Sequence, residues 1–146
     1  MTTLIAITVT FLFLESANVA ALYLRPGSGR FNALGVFTAW EASKADPEVH
    51  DLVRYLANWV AGTKLIFILV LGSVLIFGDD RTKVIAVAAL VLAILSFFWR
   101  LGPLARRIDS RSQMNPAGYS RVLTGLIVVF VIALAIGVAA GATSLS

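Results

Sequence analysis

Four long apolar runs separated by short polar segments dominate the chain: Leu4 to Leu24, Leu56 to Phe77, Val84 to Gly102 and Val122 to Gly141. A hydrocarbon core of about 30 Å is crossed by about 20 helical residues, and each run comes close to that length. None alternates polar and apolar residues, as a membrane β-strand would. In hydrocarbon the backbone must satisfy its own hydrogen bonds, so the runs are expected as helices.

The punctuation supports this division. Arg25-Pro26-Gly27-Ser28-Gly29 breaks the chain after the first run, Gly78-Asp79-Asp80 turns it between the second and third, and Gly102-Pro103 is expected to end the third. Asp46-Pro47 and Asn115-Pro116 share a start signal, a capping side chain followed by a proline that needs no N–H partner. Val49, Leu52, Val53, Leu56 and Val60 keep a helical period, so the second helix is expected to start near Glu48 and project about two turns before entering the membrane. The spans are then about 4–24, 52–77, 84–102 and 118–141.

The first loop has a pattern of its own. Ala33, Val36, Phe37 and Trp40 recur at i, i+3, i+4 and i+7, with Lys44 on the same stripe. This predicts an amphipathic helix over about 31–44, lying in the headgroup region with Trp40 toward the acyl chains or packing on the protein's own helix ends. The expected fold is therefore all-α: one polytopic domain over 1–146, an up-down-up-down bundle of four transmembrane helices with an interfacial helix in the first loop.

Composition narrows the class further. Of 146 residues, 59% are hydrophobic and 14% charged, and the mean hydropathy is +0.90. A globule this small cannot hide so much apolar surface, which argues against a soluble fold. There is no cysteine, hence no disulfide framework or thiolate metal site.

Charge sets the expected orientation. Arg25, Arg30, Lys44, Arg54, Arg100, Arg106, Arg107, Arg111 and Arg121 flank the two longer loops, whereas Arg81 and Lys83 alone lie on the side of the termini. By the positive-inside rule, loops 25–55 and 103–121 are cytoplasmic and both termini are outside the plasma (inner) membrane. Trp40, Trp59, Trp99, Tyr23, Tyr55 and Tyr119 lie near the cytoplasmic ends, as an interfacial belt would. Val19-Ala20-Ala21 could pass for a signal-peptidase site, but no Lys or Arg precedes the run and Glu15 would fall in the cleavage region, so the first span is expected to stay.

Few residues suggest chemistry. Glu15 lies nine residues before Leu24 and Lys64 nine after Tyr55, so at 1.5 Å per residue both sit about 13 Å from the same interface. Consecutive helices and matching depth predict an intramembrane ion pair, serving either as a packing device or as part of an ion route. Asn18 shares the face of Glu15, and Asn58 is expected to hydrogen-bond between helices. Arg100 is expected to snorkel, and Arg106, Arg107, Arg111 and Arg121 to meet anionic headgroups. Gly125, Ala133, Gly137 and Gly141 form a small-residue face for close helix contact, within the chain or with a second copy, and Ala89 and Ala93 are the expected facing surface. Gly62 and Phe67 match the spacing of Gly125 and Phe130, a slight hint of duplication.

His50 and the absence of cysteine make no ordinary zinc or bis-His haem site, and Asp79-Asp80 read as turn residues. No phosphate loop or hydrolase string is present, and no nucleic-acid module accompanies the basic loops. The expectation is no cofactor, no metal and no enzyme. A glutamate in the first helix of a short four-helix chain is similar to the small multidrug exporters, but the charge distribution, the long first loop and Lys64 depart from that pattern, and no residue role is carried over. The sequence thus reads as an accessory or scaffold subunit, packing with itself or a larger membrane complex. The second reading is an oligomeric transporter or channel using Glu15 and Lys64.

Overall fold

A computed structural model describes residues 1–145. The chain forms α1 (Thr2–Leu24), α2 (Thr38–Ser43), α3 (Pro47–Phe77), α4 (Asp80–Leu95), α5 (Leu101–Ser110) and α6 (Tyr119–Thr143), with 3₁₀ turns at Leu34–Val36 and Ser96–Phe98. Four helical stretches, starting at Thr2, Pro47, Asp80 and Tyr119, are long and apolar enough to cross a membrane. They make this an all-helical, multi-pass membrane protein. The Met1 amino group approaches Ser144 Oγ at 3.5 Å, so the two chain ends lie together on one face, hereafter the termini side. The basic loops lie on the other.

Helix starts follow local chemistry in two places. Asp46 caps α3, accepting from Glu48 N and Val49 N, with Pro47 at the first helical position. Asp79 caps α4 by accepting from Thr82 N at 2.7 Å. That carboxyl is held below the usual carboxylate range, chiefly by the Thr82 backbone N–H and then by the Thr82 side chain. With 31 residues, α3 extends about 46 Å, well beyond a hydrocarbon core, which fits its early start at Pro47.

α1 is the central helix, packing on α3 and α6, while α4 packs mainly on α6. The consecutive helices α3 and α4 share only a small contact. Leu4 and Phe11 of α1, Leu71 of α3, Val87 of α4 and Leu134 of α6 form the main core, toward the termini side. Phe11 meets Phe130 edge-on at 5.2 Å and Phe67 at 6.3 Å, so the two phenylalanines at matching positions of α3 and α6 both close on one ring. A second cluster of Val19, Leu22, Ala33 and Ala61 lies toward the basic side. Hydroxyls within the spans are locally satisfied. Thr8, fully buried, donates to Leu4 O, and Ser73 on the outer surface donates to Leu69 O.

Three sequence expectations need correction. The first loop holds no continuous helix over 31–44. It folds back on itself through Gly35 N, which donates to Pro26 O and Ser28 O, and a Cβ at Gly35 would collide with Gly27 O. The stripe turns inward: Ala33 and Val36 are fully buried, and Trp40 is 7% exposed, with its ring 4.8 Å from that of His50. Tertiary contact with the second loop supplies the physical reason. Thr38 N donates to Gln113 O and Asn115 N to Val36 O, so the loop backbone bonds across rather than along itself.

Gly102-Pro103 does not end the third helical stretch, which continues to Ser110. α4 ends at Leu95, a 3₁₀ turn follows, and Gly102 and Pro103 lie in the first turn of α5. Pro103 cannot donate to the carbonyl of Trp99, so the interruption falls one turn before the proline. Finally, Asn115 does not cap the fourth helix. The Asn115–Pro116 peptide is cis, and α6 starts at Tyr119 after Gly118 in a left-handed conformation (φ 82°). Asp109 of α5 takes over the capping, accepting from Gly118 N at 2.9 Å, Ser120 N at 3.0 Å and Ser120 Oγ at 2.6 Å.

Candidate functional site

The charged residues placed within spans meet between α1 and α3. Lys64 Nζ lies 2.6 Å from Glu15 Oε2 and 2.7 Å from Asn18 Oδ1. Helical geometry produces this: Glu15 and Asn18 are three residues apart on one face of α1, and antiparallel α3 brings Lys64 to the same depth. About a quarter of each charged side chain is exposed, 23% for Glu15 and 26% for Lys64. Asn18 is buried.

Asn18 also extends the network beyond the two helices. Its amide donates to Phe31 O and, at 3.3 Å, to Asn32 O. Phe31 and Asn32 are both left-handed, with φ of 55° and 54°. Such a conformation costs a non-glycine residue about 1–2 kcal/mol, and here one amide holds two successive examples. Tyr119 Oη at the start of α6 then approaches Asn32 Oδ1 at 3.4 Å. The route from Glu15 through Lys64 and Asn18 thus ends on the first loop, with α6 beside it.

The chemistry of this set is recognition within the protein. Lys64 brings an ammonium, Glu15 a carboxylate and Asn18 a bridging amide, and each group finds its complement among the others or on the loop. Beside it, Trp59, Val60, Thr63, Lys64 and Phe67 line a shallow apolar groove of about 310 Å³ on the outer surface of α3.

The other sequence candidates are placed differently. Asn58 is exposed and forms no hydrogen bond between helices among the described residues, because α3 turns Ala57 and Ala61 inward instead. Arg100 stacks on Trp99 with its guanidinium 5.8 Å from the ring centroid. Arg107 joins them around a separate crevice, and Arg111 is exposed at the end of α5. Trp59, Trp99, Tyr55 and Tyr23 face outward, whereas Trp40 is internal.

The small-residue face divides. Gly137 abuts Leu4 Cα, and Gly141 abuts Val84 and Leu4, so both are used within the chain. Ala133 is half-buried, and Gly125 is exposed with open space around it. Ala89 and Ala93 are exposed and are not the facing surface; α4 instead turns Val84 and Val87 inward. Sequence reasoning missed Asp109 and the carbonyls of Phe31 and Asn32. No local signal marks them, since each acts on a partner far along the chain.

Compared with known proteins, the chain matches no protein-family model, no curated protein and no solved structure.

Proposed function

We propose that this chain is a non-enzymatic scaffold or accessory subunit of the plasma (inner) membrane, assembling with itself or with a larger membrane complex. The loops 25–55 and 103–121 face the cytoplasm and meet anionic headgroups there, and the termini face outward. The reading rests on one observation: the intramembrane ion pair is closed on itself. Lys64 contacts Glu15 and Asn18, and Asn18 is tied in turn to loop carbonyls, an arrangement suited to fixing α1, α3 and the first loop in one register. An ion route favours charged groups along a polar cavity. The groove beside Lys64 is apolar.

Reconstitution tests this. Liposomes carrying the purified protein are expected to hold proton and potassium gradients as protein-free liposomes do, and mild-detergent isolation from the native membrane is expected to yield a stoichiometric complex. Gradient collapse that disappears with Glu15→Gln or Lys64→Met would replace the scaffold with an oligomeric transporter or channel. Because the chain has no cysteine, single introduced thiols report orientation. Glu48→Cys should react with an impermeant reagent from the cytoplasmic side only, and Ser144→Cys from the outside only.

A further inference from the structure

A cavity lies away from the ion pair, on the basic side between α5 and α6. It has a volume of about 870 Å³ and opens to the surface. Arg106 and Ser110 line it from α5, Gly118 closes it, and Arg121, Thr124 and Gly125 line it from α6. Its chemistry is graded along α6. Arg121 is one turn from Gly125, a descent of about 6 Å toward the apolar part of the helix. At Gly125 a Cβ would meet nothing within 4 Å, so the floor of the crevice there is bare backbone beside open space.

The charges in this crevice are unevenly committed. Its one carboxylate, Asp109, spends its oxygens on Gly118 N, Ser120 N and Ser120 Oγ. The guanidinium groups of Arg106 and Arg121 make no hydrogen bond or salt bridge among the described residues, although Arg121 attracts Asp109 at longer range, whereas Lys44, Arg54, Lys64 and Lys83 each have an acidic partner within 4.0 Å. Two guanidinium groups therefore overlook a cavity with hydroxyls at its wall and open space beside Gly125 at its foot. Guanidinium forks match phosphate oxygens, and the open space beside Gly125, on the apolar run that begins at Val122, leaves room for an acyl chain.

We propose that this crevice is a stoichiometric site for one anionic phospholipid, with its phosphate held by Arg106 and Arg121 and an acyl chain laid over Gly125. It differs from the diffuse attraction of a basic loop to an anionic leaflet, because it requires particular arginines and a particular void. It rests on the proposed contact of loop 103–121 with anionic headgroups and not on the scaffold role.

The test uses delipidated full-length protein in mild detergent, titrated separately with a short-chain phosphatidylglycerol, the matching phosphatidylcholine and inorganic phosphate. Bound adducts are counted by native mass spectrometry, with helical circular dichroism and elution profile as the check on folding. One tightly held phosphatidylglycerol is expected, with weaker phosphatidylcholine. Arg106→Gln and Arg121→Gln should each weaken it about ten-fold, and Arg106→Lys should recover only part of the loss. Gly125→Leu, whose Cβ enters open space, should also weaken phosphatidylglycerol about ten-fold, through steric exclusion of the chain. Arg107→Gln, on the other flank of α5, should change binding by less than about two-fold.

Equal losses for Arg107→Gln and Arg106→Gln would reduce the effect to diffuse charge and overturn the site. Binding of inorganic phosphate as tight as that of phosphatidylglycerol, and indifferent to Gly125→Leu, would overturn the lipid assignment in favour of a free phosphate.

Discussion

Replacing Lys64 with methionine removes the cation from the Glu15–Asn18 network and leaves its apolar stem in place. At 2.6 Å and an effective dielectric of about 20, the gross attraction to Glu15 is about 6 kcal/mol. Desolvation of the two ions costs several kcal/mol each, so against a fully apolar replacement the pair nets little. The single substitution is different, because it leaves a carboxylate without its counter-ion. A fully buried orphan of this kind costs about 3–5 kcal/mol. With 23% of the Glu15 side chain still exposed, we expect Lys64→Met to cost about 2 kcal/mol. Glu15→Gln should cost less, since an amide oxygen still accepts from the ammonium and Asn18 still contributes. The double variant Glu15→Gln/Lys64→Met should be more stable than the sum of the singles implies by about 1 kcal/mol, within the measured range for polar pairs between membrane helices. The assay is reversible unfolding in mixed micelles, following helical circular dichroism as the fraction of denaturing detergent rises. Strict additivity of the two single effects would refute the energetic coupling, however short the distance.

Three further predictions probe other parts of the molecule. Gly137→Ala and Gly141→Ala should each destabilise by about 1–3 kcal/mol without changing oligomeric state, because their new methyl groups meet Leu4 Cα at 3.3 Å and Val84 Cγ2 at 2.9 Å; Gly125→Ala should be neutral or stabilising by up to about 1 kcal/mol. Unfolding and light scattering of the three variants check this, and a uniform response would reject the division of that face. Single-tryptophan variants in vesicles containing brominated lipid should show strong quenching of Trp59 and Trp99, which are 64% and 77% exposed, and weak quenching of Trp40 at 7%. Strong quenching of Trp40 would restore the interfacial-helix picture of the first loop. Asp79 has a lowered carboxyl pKa in the folded state, so its contribution is complete above the ordinary value of 3.8 and is lost as pH falls through the lowered one. The thermal midpoint of the native chain should therefore fall more steeply between about pH 5 and pH 2 than that of Asp79→Asn, and parallel acid limbs would count against the cap.

The amino-acid order by itself determined the number of spans, the shared side of the termini, the cap at Asp46, the turn at Asp79-Asp80, and the common depth of Glu15 and Lys64. These are local properties. Hydropathy counts residues against a fixed thickness, helical rise converts sequence distance into depth, and a cap acts within three residues. Depth then restricted the partners of an intramembrane cation to groups at its own level, where Glu15 supplied the carboxylate and Asn18 an amide.

Tertiary structure decided the rest, because apolar residues in a membrane helix carry little information about which neighbour they meet. Ala89 and Ala93 were as plausible a contact face as Val84 and Val87, and only the packing of α4 on α6 chose the latter. Trp40 had an amphipathic period that suits a lipid surface, yet the loop closed over it once Gln113 and Asn115 offered backbone partners to Thr38 and Val36. Asn115 had the local chemistry of a cap and lost the role to Asp109, whose carboxylate reaches the start of α6 only after α5 has packed there. Where a feature depends on residues within one helical turn, the sequence is sufficient; where it depends on which backbone arrives from a distant part of the chain, the packed fold decides.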